Sequence, residues 1–266
     1  MIAKVLDSLS WPELAAEEPA GASAELEDLT EALQRLLLPP RLPDIAGVDL
    51  ASCFLPASRS QVGGDFFDLF PLGGGAWGLA VGDVCGKGAA AATVAAAARH
   101  ALRAAAIDRR QPSEVLLVLN EALLMDNDEV LEPRFCTAVY GRLRAYRDGF
   151  RLTIACGGHP HPMVLHRDGT VTDIGRAGTL LGVVDQPDLS DHRQYLRPGE
   201  SVFFFTDGLT EAPVTGDTLL GREGISRVLR THRSAPLSDV VSALRAEAIS
   251  GGVQRDDLAI LALRVQ

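Results

Sequence analysis

The chain is short of basic charge, has no uninterrupted apolar run of membrane-spanning length and contains no CxxC cysteines, and each shortage closes off a class of function. Lys and Arg number 25 against 35 Asp and Glu in 266 residues, a formal net charge of −10. Nucleic acid and anionic membrane surfaces both demand a basic footprint, so neither is expected as a partner. The longest small-residue stretch, Ala89 to Ala106, is broken by Thr93, Arg99, His100 and Arg103. No membrane span and no signal peptide is therefore expected, and the protein reads as soluble and cytoplasmic. Cys53, Cys85, Cys136 and Cys156 lack CxxC spacing, which points to small buried thiols in a reducing compartment instead of disulfides or zinc. There is no internal repeat and no low-complexity linker.

What the chain does have is carboxylates at the ends of apolar runs. Val62-Gly63-Gly64-Asp65-Phe66-Phe67-Asp68 and Val81-Gly82-Asp83-Val84-Cys85-Gly86-Lys87-Gly88 each join an apolar run to glycines and an aspartate. An aspartate there sits at the end or bend of a buried strand, where glycine lets the backbone approach a ligand closely. Asp207 follows Val202 to Thr206, and Asp256-Asp257 precede Leu258 to Leu261. Four carboxylates that converge without cations repel one another and raise their own pKa values, so their meeting makes sense only around divalent ions.

Taken in order, Met1 to Gly21 has no clear period and forms a lead-in. Over 22–38, Leu26, Leu29, Leu33 and Leu36 recur at helical steps with acidic residues early and Arg35 late, an amphipathic helix stopped by Pro39-Pro40. Residues 1–40 are thus a lead-in and a linker or dimerisation helix, and 41–266 the main domain. Strands are expected at Val48–Leu55, Phe66–Leu72 and Trp77–Val81, with Gly73-Gly74-Gly75 as a hairpin turn and not a dinucleotide loop. Helices are expected from Ala89 to Ala106 and from Pro112 to Asp126, together covering one sheet face. From Phe135 to Thr206 the pattern is nearly all strand, with Asp148-Gly149 and Asp168-Gly169 as hairpin signals, and is read as an antiparallel meander. Phe203-Phe204-Phe205 requires both faces of its strand to be buried. Two helices, at about 222–229 and 237–249, and a final strand at 258–265 complete an α+β domain. His159 and His161 could share one side of a strand, but Pro160 and Pro162 favour a structural loop. His100 and Arg103 are placed on the exposed edge of their helix, Lys87 on the surface, and Asp68 and Asp257 are as readily supporting or solvated residues as ligands.

The ordered set Gly63-Gly64-Asp65-Phe66-Phe67-Asp68, Gly82-Asp83-Val84-Cys85-Gly86-Lys87-Gly88-x-x-Ala91, Phe135-x-Thr137, Gly158-His159-Pro160, Thr206-Asp207-Gly208-Leu209-x-Glu211 and Asp256-Asp257-Leu258-Ala259 resembles the PPM-type, protein phosphatase 2C-like serine/threonine phosphatases, and within them the bacterial SpoIIE/RsbU subgroup. The resemblance runs from about Leu33 to Val265. It implies a two-sheet antiparallel β-sandwich flanked by helices, with two divalent cations, Mn²⁺ or Mg²⁺, at one end. By residue match Asp83 would bridge the cations, the Val84 carbonyl would add an oxygen, and Asp65, Asp207 and Asp256 would complete the shell. All-oxygen ligation suits those ions and disfavours zinc. The implied reaction is direct hydrolysis of a phosphoserine or phosphothreonine by metal-activated water, with Asp65 and Asp83 as the catalytic pair. The implied substrate is a phosphorylated regulator of the anti-sigma-antagonist type. No arginine motif matches the one with which eukaryotic members hold phosphate, Arg59 included, and no general-acid histidine is recognisable. A catalytically weak regulatory module on the same fold is the rival reading. With fewer than about fifty residues ahead of the domain, too few for a sensor domain, regulation is expected through the 22–38 helix, by homodimerisation or by a docked partner.

Overall fold

The computed structural model describes residues 42–57, 63–127, 134–215, 218–252 and 256–266. The lead-in and the helix expected over 22–38, together with Arg59, lie outside the described residues. Two five-stranded antiparallel sheets face one another. The first has the order β1-β12-β9-β6-β7, built from Val48–Leu55, Leu258–Val265, Ser201–Phe205, Met163–Leu165 and Val171–Asp173. The second has the order β2-β3-β4-β5-β8, built from Asp65–Gly73, Ala76–Val84, Cys136–Tyr146, Gly149–Gly157 and His192–Leu196. A two-stranded ribbon, β10 (Pro213–Thr215) with β11 (Thr218–Leu219), stands apart.

Alternation along each strand sorts its side chains between layers. On β2, Phe67 and Leu69 point between the sheets while Phe66 and Phe70 point outward. The outward face is covered by α1 (Gly88–Asp108) and α2 (Pro112–Asn127). Ala91, Ala92, Ala95 and Ala98 are buried on α1, and their small side chains let the helix lie close to the sheet. On β9, Phe204 enters the inter-sheet core, whereas Phe203 and Phe205 pack beneath α4 (Gly221–Thr231) and α5 (Leu237–Ala248). All three rings are at most 1% exposed, the double burial expected from their sequence. Each such ring contributes on the order of 2–3 kcal/mol of hydrophobic stabilisation.

The region from 135 to 206 is not one meander. β4, β5 and β8 lie in the second sheet, while β6, β7 and β9 lie in the first. The chain changes sheet at Gly158-His159-Pro160, where proline cannot donate a ladder hydrogen bond. β6 then supplies β9 with the neighbour that its buried backbone needs. The Gly73-Gly74-Gly75 turn does close the β2–β3 hairpin, all three glycines having positive φ. Cys136 and Cys156 are buried as expected, but Cys85, at the β3 exit, is exposed; all four thiols are free. Among the described residues no helix is long and apolar enough to cross a membrane.

Candidate active site

The β2–β3 register sets Asp65 directly opposite Asp83 at one end of the second sheet. Their carboxyls share a hydrogen bond. Asp65 is 2% exposed, and burial followed by the charge of Asp83 pushes its pKa well above the carboxylate range. Asp83 is pushed up to about 7, first by burial and then by Asp207 and Asp256. Asp207, at the start of the short helix α3 (Asp207–Thr210), is raised by burial, Glu211 and Asp256. The fold therefore does bring Asp65, Asp83, Asp207 and Asp256 within electrostatic reach of one another, from four separated stretches of chain. Among the described residues, no group of three or more His, Cys, Asp or Glu side chains is arranged to hold a metal ion.

Glycine is required here for space. A Cβ on Gly64 would stand 2.3 Å from the Val84 carbonyl oxygen and 3.0 Å from an Asp83 carboxylate oxygen. The Val84 N–H in turn donates to the Gly64 carbonyl at 3.2 Å. The Val84 oxygen and the Asp83 carboxylate thus converge on a cradle that any side chain at 64 would fill. A hydrogen-bonded pair of carboxyls beside a backbone oxygen, an all-oxygen group, forms a set that fits a hard divalent cation.

Asp257 holds a more central place than its sequence position suggested. It is 8% exposed, accepts the Ala57 N–H at 2.8 Å and the Asp65 N–H, and is raised chiefly by burial. Its carboxylate occupies the space a Cβ on Gly63 would need. Asp256 is exposed and accepts the Asp257 N–H at 2.9 Å. Lys87, on the surface at the head of α1, lends positive potential to Asp257. Asp68 is elsewhere: it faces α1, where Arg103 donates to both its oxygens at 2.5 and 2.7 Å and Arg99 lies 3.7 Å away. Arg103 also stacks over Phe70 at 4.7 Å, so it does not mark an exposed helix edge, whereas His100 does.

Two further side chains support the site, Thr206, which carried no expectation, and His159, expected in a structural loop. Thr206 is fully buried; its hydroxyl donates to Asp65 Oδ2 at 2.6 Å and accepts the Ala259 N–H at 3.0 Å. His159 is buried between the sheets and joins Thr137 Oγ1 at 2.9 Å to the Phe205 carbonyl at 3.1 Å. A carbonyl can only accept, so Nε2 carries the hydrogen and Nδ1 accepts from Thr137. Burial pushes this imidazole down to about 3, leaving a neutral brace. Thr137 is itself opposite Asp83, so the brace ties the two halves of the site together. Both residues stand in the family-like motifs, but nothing local in the sequence indicates what a buried hydroxyl or imidazole will meet. An apolar-walled cleft of about 600 Å³, lined by Ala212, Pro213, Leu219 and Leu258, opens beside Gly208, Glu211 and Asp256.

A sandwich of two antiparallel sheets with acidic residues gathered at one end is the architecture of the PPM phosphatases. The family "Stage II sporulation protein E (SpoIIE)" matches residues 73–266, well over half of the chain, and the chain belongs to that family. Phosphoserine phosphatase RsbU of Bacillus subtilis is 27% identical over 210 residues, covering 79% of this chain and 60% of the relative. Protein IcfG of Synechocystis is 25% identical over 257 residues, 87% of this chain and 40% of the relative. The chain thus spans about half the length of the curated relatives it matches. The solved SiaA-PP2C domain of Pseudomonas aeruginosa shares the fold with a TM-score of 0.78 at 22% identity, covering 92% of this chain and 97% of that domain.

Proposed function

We propose that this chain is a metal-dependent phosphoserine/phosphothreonine protein phosphatase in which Asp65, Asp83, the Val84 carbonyl, Asp207 and Asp256 hold two divalent cations, Mg²⁺ or Mn²⁺. The observation that carries the reading is the hydrogen-bonded Asp65–Asp83 pair beside the Val84 oxygen over Gly64, crowded by further carboxylates that push both groups up. Such crowding is unfavourable on its own and is relieved by cations. A protein of the same fold, RsbX, was solved in complex with magnesium. When bound, such cations polarise phosphoryl oxygens and acidify coordinated water.

The chain's own residues prepare the site. The Thr206 hydroxyl fixes one Asp65 oxygen and leaves the other for the cation side. Asp257 holds the 57 and 63–65 segments in place through the Ala57 and Asp65 amides. Gly64 keeps the approach to the Val84 oxygen open. Asp83, raised by burial and its carboxylate neighbours while the site is metal-free, would be held as the carboxylate once cations offset that repulsion. The cleft beside Asp256 would take the apolar residue flanking the phosphorylated serine or threonine. The substrate is proposed to be a phosphorylated regulatory protein of the anti-sigma-antagonist type, by likeness to the phosphoserine phosphatase RsbU. Self-association through the helix expected over 22–38 belongs to the same proposal; removing residues before Leu38 should then change the size measured by light scattering.

The test is phosphate release from a phosphoserine peptide with Mn²⁺ or Mg²⁺, with chelator, and with Asp83→Asn. Release that needs the metal and is lost in the variant supports the reading. Full activity in the variant would remove Asp83 from the site. Silence of the wild-type chain with no metal binding by calorimetry would favour the regulatory module, whereas silence with tight metal binding would mark a latent enzyme.

A further inference from the structure

The helix-facing side of the second sheet extends beyond the helices that cover it. Ala138 and Tyr140 on β4 and Ala155 on β5 lie under α1 and α2. Two and four residues beyond Tyr140 on the same face of β4 come Arg142 and Arg144. In register, Arg144 is opposite Arg151, and Arg142 forms a row with Thr153 and, across β5, Arg193. Paired residues in an antiparallel sheet project to the same face, so four arginines share one patch. Arg110, from the α1–α2 turn, joins them in a concavity of about 820 Å³.

Among the described residues, no ion pair neutralises this cluster: none uses any of the five, and those present draw on Arg99, Arg103, His166, Arg222, Arg227 and Arg230. The single carboxylate lining the concavity, Asp191, accepts the Ser113 N–H at 2.8 Å and offsets at most one of the five positive charges. The net charge of −10 does not cancel such a patch, because salt screens charges beyond about 8 Å. Five guanidinium groups outside any ion pair among the described residues, with Arg151 stacked over Tyr146 at 5.0 Å, repel one another, and a multivalent anion removes that repulsion. Guanidinium forks match phosphate oxygens two at a time. Strands about 4.8 Å apart and same-face residues about 7 Å apart place the four sheet arginines within roughly 10 by 7 Å. That footprint suits a short phosphate chain better than an extended acidic segment.

We propose that this concavity is a binding site for a compact polyphosphate anion, either an inorganic chain or the phosphates of a nucleotide. The site lies on the helix-facing side of the sheet, away from the inter-sheet end where Asp65 and Asp83 meet.

Calorimetric titration with inorganic tripolyphosphate, in chelator and at low ionic strength, tests it while the acidic site holds no metal, so its outcome is independent of the phosphatase reading. The expected result is saturable binding that weakens with salt and falls about tenfold or more in Arg144→Gln/Arg151→Gln. Arg144 and Arg151 are exposed, so the melting temperature of that variant should match wild type. Arg227→Gln/Arg230→Gln, which removes equal charge from α4, should bind as wild type does. Adenosine and guanosine triphosphates separate the sources: equal affinity assigns recognition to the phosphate chain, and tighter binding adds a contribution from the nucleoside. Absence of binding, or equal binding by Arg144→Gln/Arg151→Gln, would overturn the proposal. So would binding of polyglutamate without tripolyphosphate, which would make the face a protein-docking surface.

Discussion

Asp65 and Asp68 are three residues apart on one strand, both almost completely buried, yet they live in opposite electrostatic worlds. Asp68 points toward α1 and is held by Arg103 and Arg99; Asp65 points the other way, hydrogen-bonded to Asp83 and Thr206 with Asp257 and Asp207 nearby. Strand parity separates them, since an odd step along a strand reverses the face. The lesson concerns what burial of a charge means: neutralised by arginines it secures packing, whereas left among other carboxylates it stores repulsion that an ion can relieve.

Variants at the two aspartates should fail in different ways. The largest effect is expected for Asp83→Asn, which should lower metal-dependent phosphate release by about 10³-fold or more while the chain still folds. If activity survived, the contrast between the two sites would be lost. Asp68→Ala should instead leave the pH dependence and metal dependence of any turnover unchanged but destabilise the fold by about 2–4 kcal/mol in chemical denaturation. The reason is that Arg99 already has Nε and Nη1 buried without a hydrogen-bond partner and would lose its remaining counter-charge.

The sign of the pH dependence sharpens the comparison. The folded pKa of Asp83 lies near 7, above its ordinary 3.8, so the metal-free native state favours the protonated form. Its contribution to stability is complete below about pH 4 and disappears as pH rises through 7. In chelator, Asp83→Asn should therefore be more stable than wild type at pH 8 by about 1–3 kcal/mol, a difference that shrinks toward pH 4. Added Mg²⁺ or Mn²⁺ should raise the melting temperature of wild type and not of the variant. A smaller effect is expected for Thr206→Val, which removes the donor to Asp65 and leaves the Ala259 N–H unpaired. Metal affinity should fall by about 10- to 100-fold by calorimetry, with a stability loss of about 1–3 kcal/mol.

Much of this was legible from residues alone because it rests on local rules. Strand and helix positions followed periodicity; the 73–75 hairpin followed its glycines; the double burial of Phe203 to Phe205 followed their consecutive apolar character. The acidic residues stood out because Asp65, Asp83 and Asp207 each adjoin a glycine beside an apolar run, and Asp256 lies just ahead of one. What failed was non-local. The division of β4 to β9 between two sheets depends on which strand a partner finds in space. Arg103 was read as a surface residue because helix position says nothing about a carboxylate on the sheet below. Thr206 and His159 sit in recognisable motifs, but their partners lie 141 residues away at Asp65 and 46 away at Phe205.

The sequence by itself determined the elements, the acidic residues beside the apolar runs and the family, since these depend on side-chain chemistry, spacing along the chain and the order of motifs. Only the tertiary structure decided which aspartates share a hydrogen bond, which one is tied to arginines, and that five arginines of an acidic chain gather in one concavity. Those outcomes depend on strand register and on the layer each face meets, and both are fixed by packing between segments distant in the chain.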